Sequence, residues 1–273
     1  MPKVRFRDAI KTLIRSRSLA FTRDIVRQKR SDRLGQIHWQ GRTIYYRPGT
    51  TDPLVIQQVL LKRGTKAEYY LPPRFHPDVI VDVGSNIGAS ILYFHQRFPR
   101  AKIIGFEPHP ATFAVLEKNV ANLPQVAVLN CGLGATTEQL ILPDESINFG
   151  AFSTKGRRRG QAETRPTVEC QVRRLDDVLL ELGIGKIDLI KIDCEGAEAE
   201  VLSSLSPQIL EDCQWIVGEL HDPSAFTLLA RLTPHFDLDC KKRMFSPLFR
   251  FHACNTAHAK DLREDFDIDA LQR

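Results

Sequence analysis

The chain reads as an α/β protein built on a mostly parallel, doubly wound sheet, with an N-terminal helical and hairpin appendage and a hairpin insertion. Three observations predict this. From Asp78 onward short apolar runs alternate with amphipathic segments, the rhythm of βαβ units. The first run carries a polar residue near its end and meets two glycines, which lets the chain turn tightly from strand into helix. The 273 residues, 42% hydrophobic and 26% charged, suffice for one large domain with a sizeable core and exclude collagen-like, coiled-coil and wholly disordered chains.

Taken in order, residues 2–33 predict one or two basic helices, with Val4, Phe6, Ile10, Leu13 and Ile14 at mostly helical spacing. Residues 37–46 alternate around Gln40-Gly41 as a short hairpin, and 51–61 turn helical. Together 1–75 form the expected appendage. The α/β domain spans 76–255 and a charged C-terminal tail 256–273. Its strands are expected at 79–83, 102–106, 126–130, 187–192 and 215–220, with late apolar runs at 236–240 and 249–252. Helices are expected at 89–98, 111–122, 175–182, 197–205 and 225–232. Residues 139–174 lack a helical period and contain the tract Lys155–Gly160, which predicts a hairpin insertion with a disordered tip.

The net charge of +5 is concentrated at one end: eleven Lys/Arg stand against three Asp between Met1 and Arg33. Such a stretch suits an anionic partner or is simply a solvated helix face. The six cysteines show no CxxC spacing, so neither a zinc site nor a disulfide framework is signalled, and a reducing cytoplasm is the expected compartment. No secretory leader or transmembrane run is apparent.

The strongest chemical signal is Val81-Asp82-Val83-Gly84-Ser85-Asn86-Ile87-Gly88. Gly84 and Gly88 permit close backbone approach, and the amides that open the next helix favour an anionic group such as a carboxylate. The second strand ends in Gly105-Phe106-Glu107-Pro108, setting a carboxylate 19 residues beyond Gly88. An acid at such a strand end accepts from both ribose hydroxyls, as in dinucleotide folds. The spacing D-x-G-x-x-x-G differs from the G-x-G-x-x-G of dinucleotide sites, which favours S-adenosylmethionine over NAD. Asp82 would also oppose a pyrophosphate at close range. After the third strand, Asn130-Cys131-Gly132 either borders an adenine or is an ordinary strand end.

The fourth strand runs through Lys191-Ile192-Asp193-Cys194-Glu195-Gly196, where Lys191 and Asp193 share one face. A buried charge must be paired, so Lys191 either stitches the sheet through an ion pair or faces the reacting groups. Asp193 lies nearer the carboxyl end, where open α/β sheets bind ligands. The fifth strand ends in Glu219-Leu220-His221. With parallel neighbours, Asp193, Glu219 and His221 converge on one edge. There an imidazole can take a proton from a hydroxyl, and the carboxylates can orient it or hold a divalent ion instead. No metal ligand set is assigned.

Together these residues resemble the FkbM family of methyltransferases. The resemblance rests on the V-D-V-G-x-N-x-G turn at Val81–Gly88, the F-E-P strand end at Phe106–Pro108 and the K-I-D-x-E-G-x-E junction at Lys191–Glu198. Arg47-Pro48-Gly49-Thr50-Thr51-Asp52 fits the family's approach to the domain, and Ser85 stands where the family often has Ala. The likeness runs from about Tyr46 to His221. It implies a Rossmann-like class I methyltransferase fold and O-methylation of a sugar, glycan or secondary metabolite.

On this reading Gly84, Asn86 and Gly88 cradle the methionine portion, Asp82 orients it, Glu107 clamps the ribose, and Asn130 and Cys131 border the adenine. Asp193, Glu219 and His221 face the acceptor hydroxyl, with His221 the first choice of base and Asp193 the second. The competing expectations are an NAD-dependent oxidoreductase on the same sheet and a non-catalytic protein using its basic end on nucleic acid or a membrane surface. No interleaving of aromatic and basic residues like that of an RNA-binding sheet is present, so no nucleic-acid partner is expected. The acceptor's identity, a metal requirement and homo-oligomerisation are left open.

Overall fold

The structure, a computed structural model, describes residues 6–64, 67–143, 167–221, 226–242 and 248–258. It begins with helices α1 (Phe6–Ser16) and α2 (Leu19–Arg27), separated near Arg17, whose φ of 52° lies in the left-handed region. The Ser18 hydroxyl caps α2 by accepting from the Phe21 amide at 3.2 Å. Strands β1 (Gly35–Trp39) and β2 (Arg42–Tyr46) form the expected hairpin, with Gln40 and Gly41 both at positive φ, and α3 (Asp52–Val59) follows. Arg47 grips Asp52 through Nε and Nη2 at 2.8 Å each, and its Nη1 donates to Thr112 at 3.1 Å. This clamp ties the approach segment to the layer that follows.

The α/β part runs β3 (Val79–Val83), α4 (Ala89–Arg97), β4 (Lys102–Phe106), α5 (Pro110–Val120) and β5 (Val126–Leu129). The insertion supplies β6 (Gly132–Leu133), β7 (Glu138–Pro143) and β8 (Thr167–Arg173), a small sheet of its own. The chain continues through α6 (Leu175–Glu181), β9 (Leu189–Ile192), α7 (Glu198–Ser203), α8 (Pro207–Asp212), β10 (Trp215–Leu220), α9 (Phe226–Leu232), β11 (Phe236–Lys242) and β12 (Phe249–Asn255).

The main sheet has the order β11-β12-β10-β9-β3-β4-β5. The five strands from β10 to β5 are parallel, and β12 lies antiparallel between β10 and β11. Chain order departs from the centre in both directions, toward β4 and β5 on one side and toward β10 on the other. A ligand crevice belongs at the carboxyl ends of the strands where the order reverses.

Side-chain alternation divides the core between the two faces of the sheet. Ile80 of β3 and Leu189 of β9 pack with Phe21, Ile37, Ile44 and Ile56, whereas Val81, Val83, Ile190 and Ile192 pack with Leu175, Val178 and Val201. The N-terminal segment expected as an appendage therefore shares a core with α4 and covers one face of the sheet.

Three elements differ from their sequence expectation. Helix α8 was not foreseen; Ser206 restarts the helix by accepting from the Ile209 amide at 3.4 Å, with Pro207 at its first position. Strands β11 and β12 run beyond their apolar stretches because they pair with each other from Phe236↔Asn255 to Lys242↔Phe249. The Lys155–Gly160 tract lies outside the described residues, as do 1–5 and all but the start of the 256–273 tail.

Candidate active site

A cleft of about 500 Å³ opens over the carboxyl ends of β3, β4, β9 and β10. It brings together Gly84, Asn86, Glu107, Cys131, Asp193, Glu219 and His221 from the ends of five strands, β5 included, and their following turns. Asp82, Gly88 and Asn130 are not among its lining, and each has a structural role that explains its position.

The turn after β3 is built for backbone contact. Gly84 has φ 76°, and a Cβ there would fall 2.0 Å from the Asp193 carbonyl oxygen, so the turn and the β9 tip touch through bare backbone. Asn86 also sits at positive φ, 50°, and its Oδ1 accepts from the Ile87 amide at 2.8 Å. Gly88, with φ 89°, opens α4; a Cβ there would lie 2.8 Å from Leu116 Cδ1 of α5. The packing of α4 against α5 is enough to explain a glycine at position 88.

The alternatives for Lys191 resolve into an internal pair. Asp82 and Lys191 are register partners on adjacent parallel strands and project to the same face. Lys191 Nζ lies 3.0 Å from Asp82 Oδ1 and donates to the carbonyls of Val83 at 3.0 Å and Gly84 at 2.6 Å. Burial works against the ammonium, but Asp82 and Asp193 outweigh it and hold Lys191 above its ordinary range. The second Asp82 oxygen accepts from Ser90. With no exposure, Asp82 stitches the sheet and fixes the glycine turn through Lys191, so it acts one layer beneath the position expected for it.

Glu107 stands at the tip of β4. Its Oε2 accepts from the Asn86 amide and its Oε1 from the His109 amide, each at 2.9 Å, which fixes the carboxylate across the crevice from β3. Burial raises its pKa to about 7 despite these two amides. Asn130 donates from Nδ2 to the carbonyls of Glu107 at 2.8 Å and Pro108 at 3.1 Å. It therefore braces the Glu107 loop from outside instead of bordering the cleft, whereas the buried Cys131 does line it.

The opposite edge is acidic. His221 Nε2 lies 3.4 Å from Asp193 Oδ1 and 3.3 Å from Glu195 Oε2, while Nδ1 lies 2.8 Å from Glu198 Oε1. Burial disfavours the imidazolium, but the Glu198 hydrogen bond and the charges of Asp193, Glu195 and Glu198 outweigh it and raise His221 to about 9. These neighbours favour the imidazolium form, which weighs against the expected role of His221 as base. Burial pushes Glu195 up to about 7. On the far side Arg250 of β12 pairs with Glu219 at 3.2 Å and with Glu68, and the Tyr69 hydroxyl donates to Asp193 at 3.4 Å. Asp193, Glu219 and His221 each offer a ligand-type atom within 4.8 Å of the others, a spacing that a divalent ion could bridge. The same carboxylates already face two cations, His221 and Arg250.

Glu195 and Glu198 stand in the K-I-D-x-E-G-x-E junction but were given no role from the sequence, and Tyr69 and Arg250 were not singled out. Two signals could have found them. Glu198 is an acid in the first turn of a helix, where it also accepts from the Gly196 amide at 3.0 Å. Arg250 is a charge inside an apolar run that had to be paired.

The FkbM methyltransferase domain model matches residues 82–244, from the Asp82 turn through β11. The chain belongs to this family. Methyltransferase sdnD of Sordaria araneosa is 34% identical over 173 residues, covering 53% of this chain and 67% of that protein. The 31-O-demethyl-FK506 methyltransferase FkbM of Streptomyces tacrolimicus is 32% identical over 176 residues, covering 53% and 66%. The 2-O-methyltransferase NoeI of Sinorhizobium fredii is 26% identical over 183 residues, covering 59% and 74%. The protein is thus a methyltransferase built on a mostly parallel α/β sheet, and the oxidoreductase and non-catalytic readings give way. Among the described residues no helix is long and apolar enough to cross a membrane.

Proposed function

We propose that this FkbM-family enzyme binds S-adenosylmethionine over β3 and β4 and methylates a hydroxyl oxygen of a sugar, glycan or secondary metabolite, in the cytoplasm. The observation that carries the reading is the pairing, in one cleft, of the bare Gly84 turn with the fixed Glu107 carboxylate, opposite an acidic edge. The residues fit the cofactor. The Gly84–Asn86 turn lines the cleft with small side chains where the methionine end would lie, and Glu107 retains lone pairs for ribose hydroxyls after accepting its two amides. Cys131 borders the adenine side. Bound there, the cofactor supplies a methyl group already activated by its sulfonium.

The protein's own part is alignment and removal of the hydroxyl proton. Asp193, Glu195 and Glu219 present acceptor oxygens to a hydroxyl donor, and Glu195 is the base that the geometry favours. It lines the cleft, and its pKa of about 7 matches a working pH near neutrality. Asp193 is the second choice. His221, held by Glu198, balances these charges and positions Asp193 and Glu195. The relatives named for O-methylation support the oxygen acceptor.

Isothermal titration with S-adenosylhomocysteine tests the cofactor half: Glu107→Ala should bind more weakly than wild type, and equal binding by both proteins removes the ribose clamp. Labelled methyl transfer into fractions of hydroxylated small molecules tests the acceptor half. A product methylated on nitrogen or carbon alone would overturn the oxygen assignment.

A further inference from the structure

The outer side of α1 and α2 displays side chains that a folded domain usually hides. Ile10, Ile14, Leu19 and Val26 are 43%, 69%, 75% and 49% exposed. They are not loosened core, because Phe21 and Ile25 of α2 are fully buried and anchor that helix in the core, and Thr12 and Ser16 of α1 are buried on its other side. The apolar set is periodic. Ile10 and Ile14 stand one turn apart on α1, with Lys11 and Arg15 on the adjoining stripe, and Leu19, Arg23, Val26 and Arg27 follow one face of α2. Each of these cations is exposed.

We propose that this face docks on an anionic lipid bilayer surface, the apolar side chains entering the headgroup boundary while Lys11, Arg15, Arg23 and Arg27 reach lipid phosphates. Alternating short apolar and long cationic side chains are what an interfacial helix requires, since Lys and Arg stems lie along apolar surface with the charge outward. Charge complementarity selects the anionic bilayer: eleven Lys/Arg against three Asp crowd the first 33 residues, whereas the rest of the chain is close to neutral or acidic. Nucleic acid would satisfy the cations yet leave Ile14 and Leu19, the two most exposed of the set, in water. A second copy of this chain would bring two strongly positive faces together.

The test is co-sedimentation of the full chain with vesicles of phosphatidylcholine alone and of phosphatidylcholine mixed with phosphatidylglycerol. Binding is expected only to the anionic vesicles, weakening with salt. It should fall at least about tenfold in Ile14→Ser/Leu19→Ser, a change that removes apolar area without touching charge or core. S-adenosylhomocysteine titration of that variant should match wild type, which shows that the fold survives. Absence of anionic-vesicle binding overturns the proposal. So does binding that the double substitution leaves intact, tighter retention on duplex RNA than on vesicles, or a dimer in solution that the same substitution dissolves.

Discussion

The two halves of the cleft are organised by different physics. On the β3–β4 side the ligand-facing groups are held by backbone within a short stretch: the Gly84 turn by its own dihedrals, and Glu107 by the amides of Asn86 and His109, with Asn130 bracing the loop. On the β9–β10 side the groups come from segments far apart in the chain and are held by one another's charge. Asp193, Glu195 and Glu198 gather around His221, and Glu68 and Glu219 around Arg250. Backbone amides fix where Glu107 sits even though its charge changes near pH 7, whereas the half fixed by charge also loses its anchors with each proton. The first suits a constant cofactor, and the second suits proton removal from an acceptor. The Asp82–Lys191 pair lies beneath the seam and joins the two.

That contrast can be broken most sharply at Glu195. Glu195→Gln should lower turnover by about 10²- to 10⁴-fold while leaving S-adenosylhomocysteine affinity unchanged. In wild type the rate should rise as pH passes through about 7, where Glu195 loses its proton, and that limb should vanish in the variant. An unchanged pH–rate profile would return the role of base to Asp193.

The seam comes next. Lys191→Met leaves Asp82 buried without its cation and should cost about 3–5 kcal/mol in denaturant unfolding. Adding Asp82→Asn should recover part of that loss; a fully stable single variant would mean that the pair contributes nothing to joining the halves.

The charge-held half also predicts a pH-dependent stability. The His221 pKa rises from 6.5 to about 9 on folding, so its contribution is complete below 6.5 and disappears as pH climbs through about 9. Unfolding free energy should decline across that window by an amount on the order of 2 kcal/mol, and His221→Gln should flatten the slope. A slope that persists in the variant would place the titration elsewhere.

On the backbone-held half the effects are smaller. Glu107→Gln should weaken S-adenosylhomocysteine about tenfold, near 1.4 kcal/mol, with little change in turnover at saturating cofactor. Asn130→Ala should cost about 1 kcal/mol of stability through two lost hydrogen bonds and barely alter affinity. A larger fall in affinity for Asn130→Ala than for Glu107→Gln would reverse their assigned roles.

Much of this was legible before any coordinates. The parallel strands, the glycine turn, the acid at the β4 tip and the convergence of Asp193, Glu219 and His221 follow from apolar periodicity, turn chemistry and the rule that parallel strands end at one edge. At three positions the structure shows a protein partner that the sequence did not predict. Gly88, Asp82 and Asn130 sit inside or beside the right motifs, but their partners are Leu116, Lys191 and the Glu107 loop, and motif spacing does not say toward which neighbour a side chain turns. The imidazolium form favoured at His221 was hidden likewise, because it depends on Glu198 and Glu195 folding back over the β10 tip.

The sequence alone therefore determined the sheet and the pair of strand ends that form the cleft, since these rest on dihedral preference and hydrophobic period, which act over a few neighbouring residues; its family was legible only through the likeness of three motifs. Tertiary structure decided which charges meet. Arg250 reaches Glu219 across 31 positions and Lys191 reaches the Gly84 carbonyl across 107, through strand register and packing. Electrostatic pairing depends on distance in space, and only the assembled sheet sets those distances.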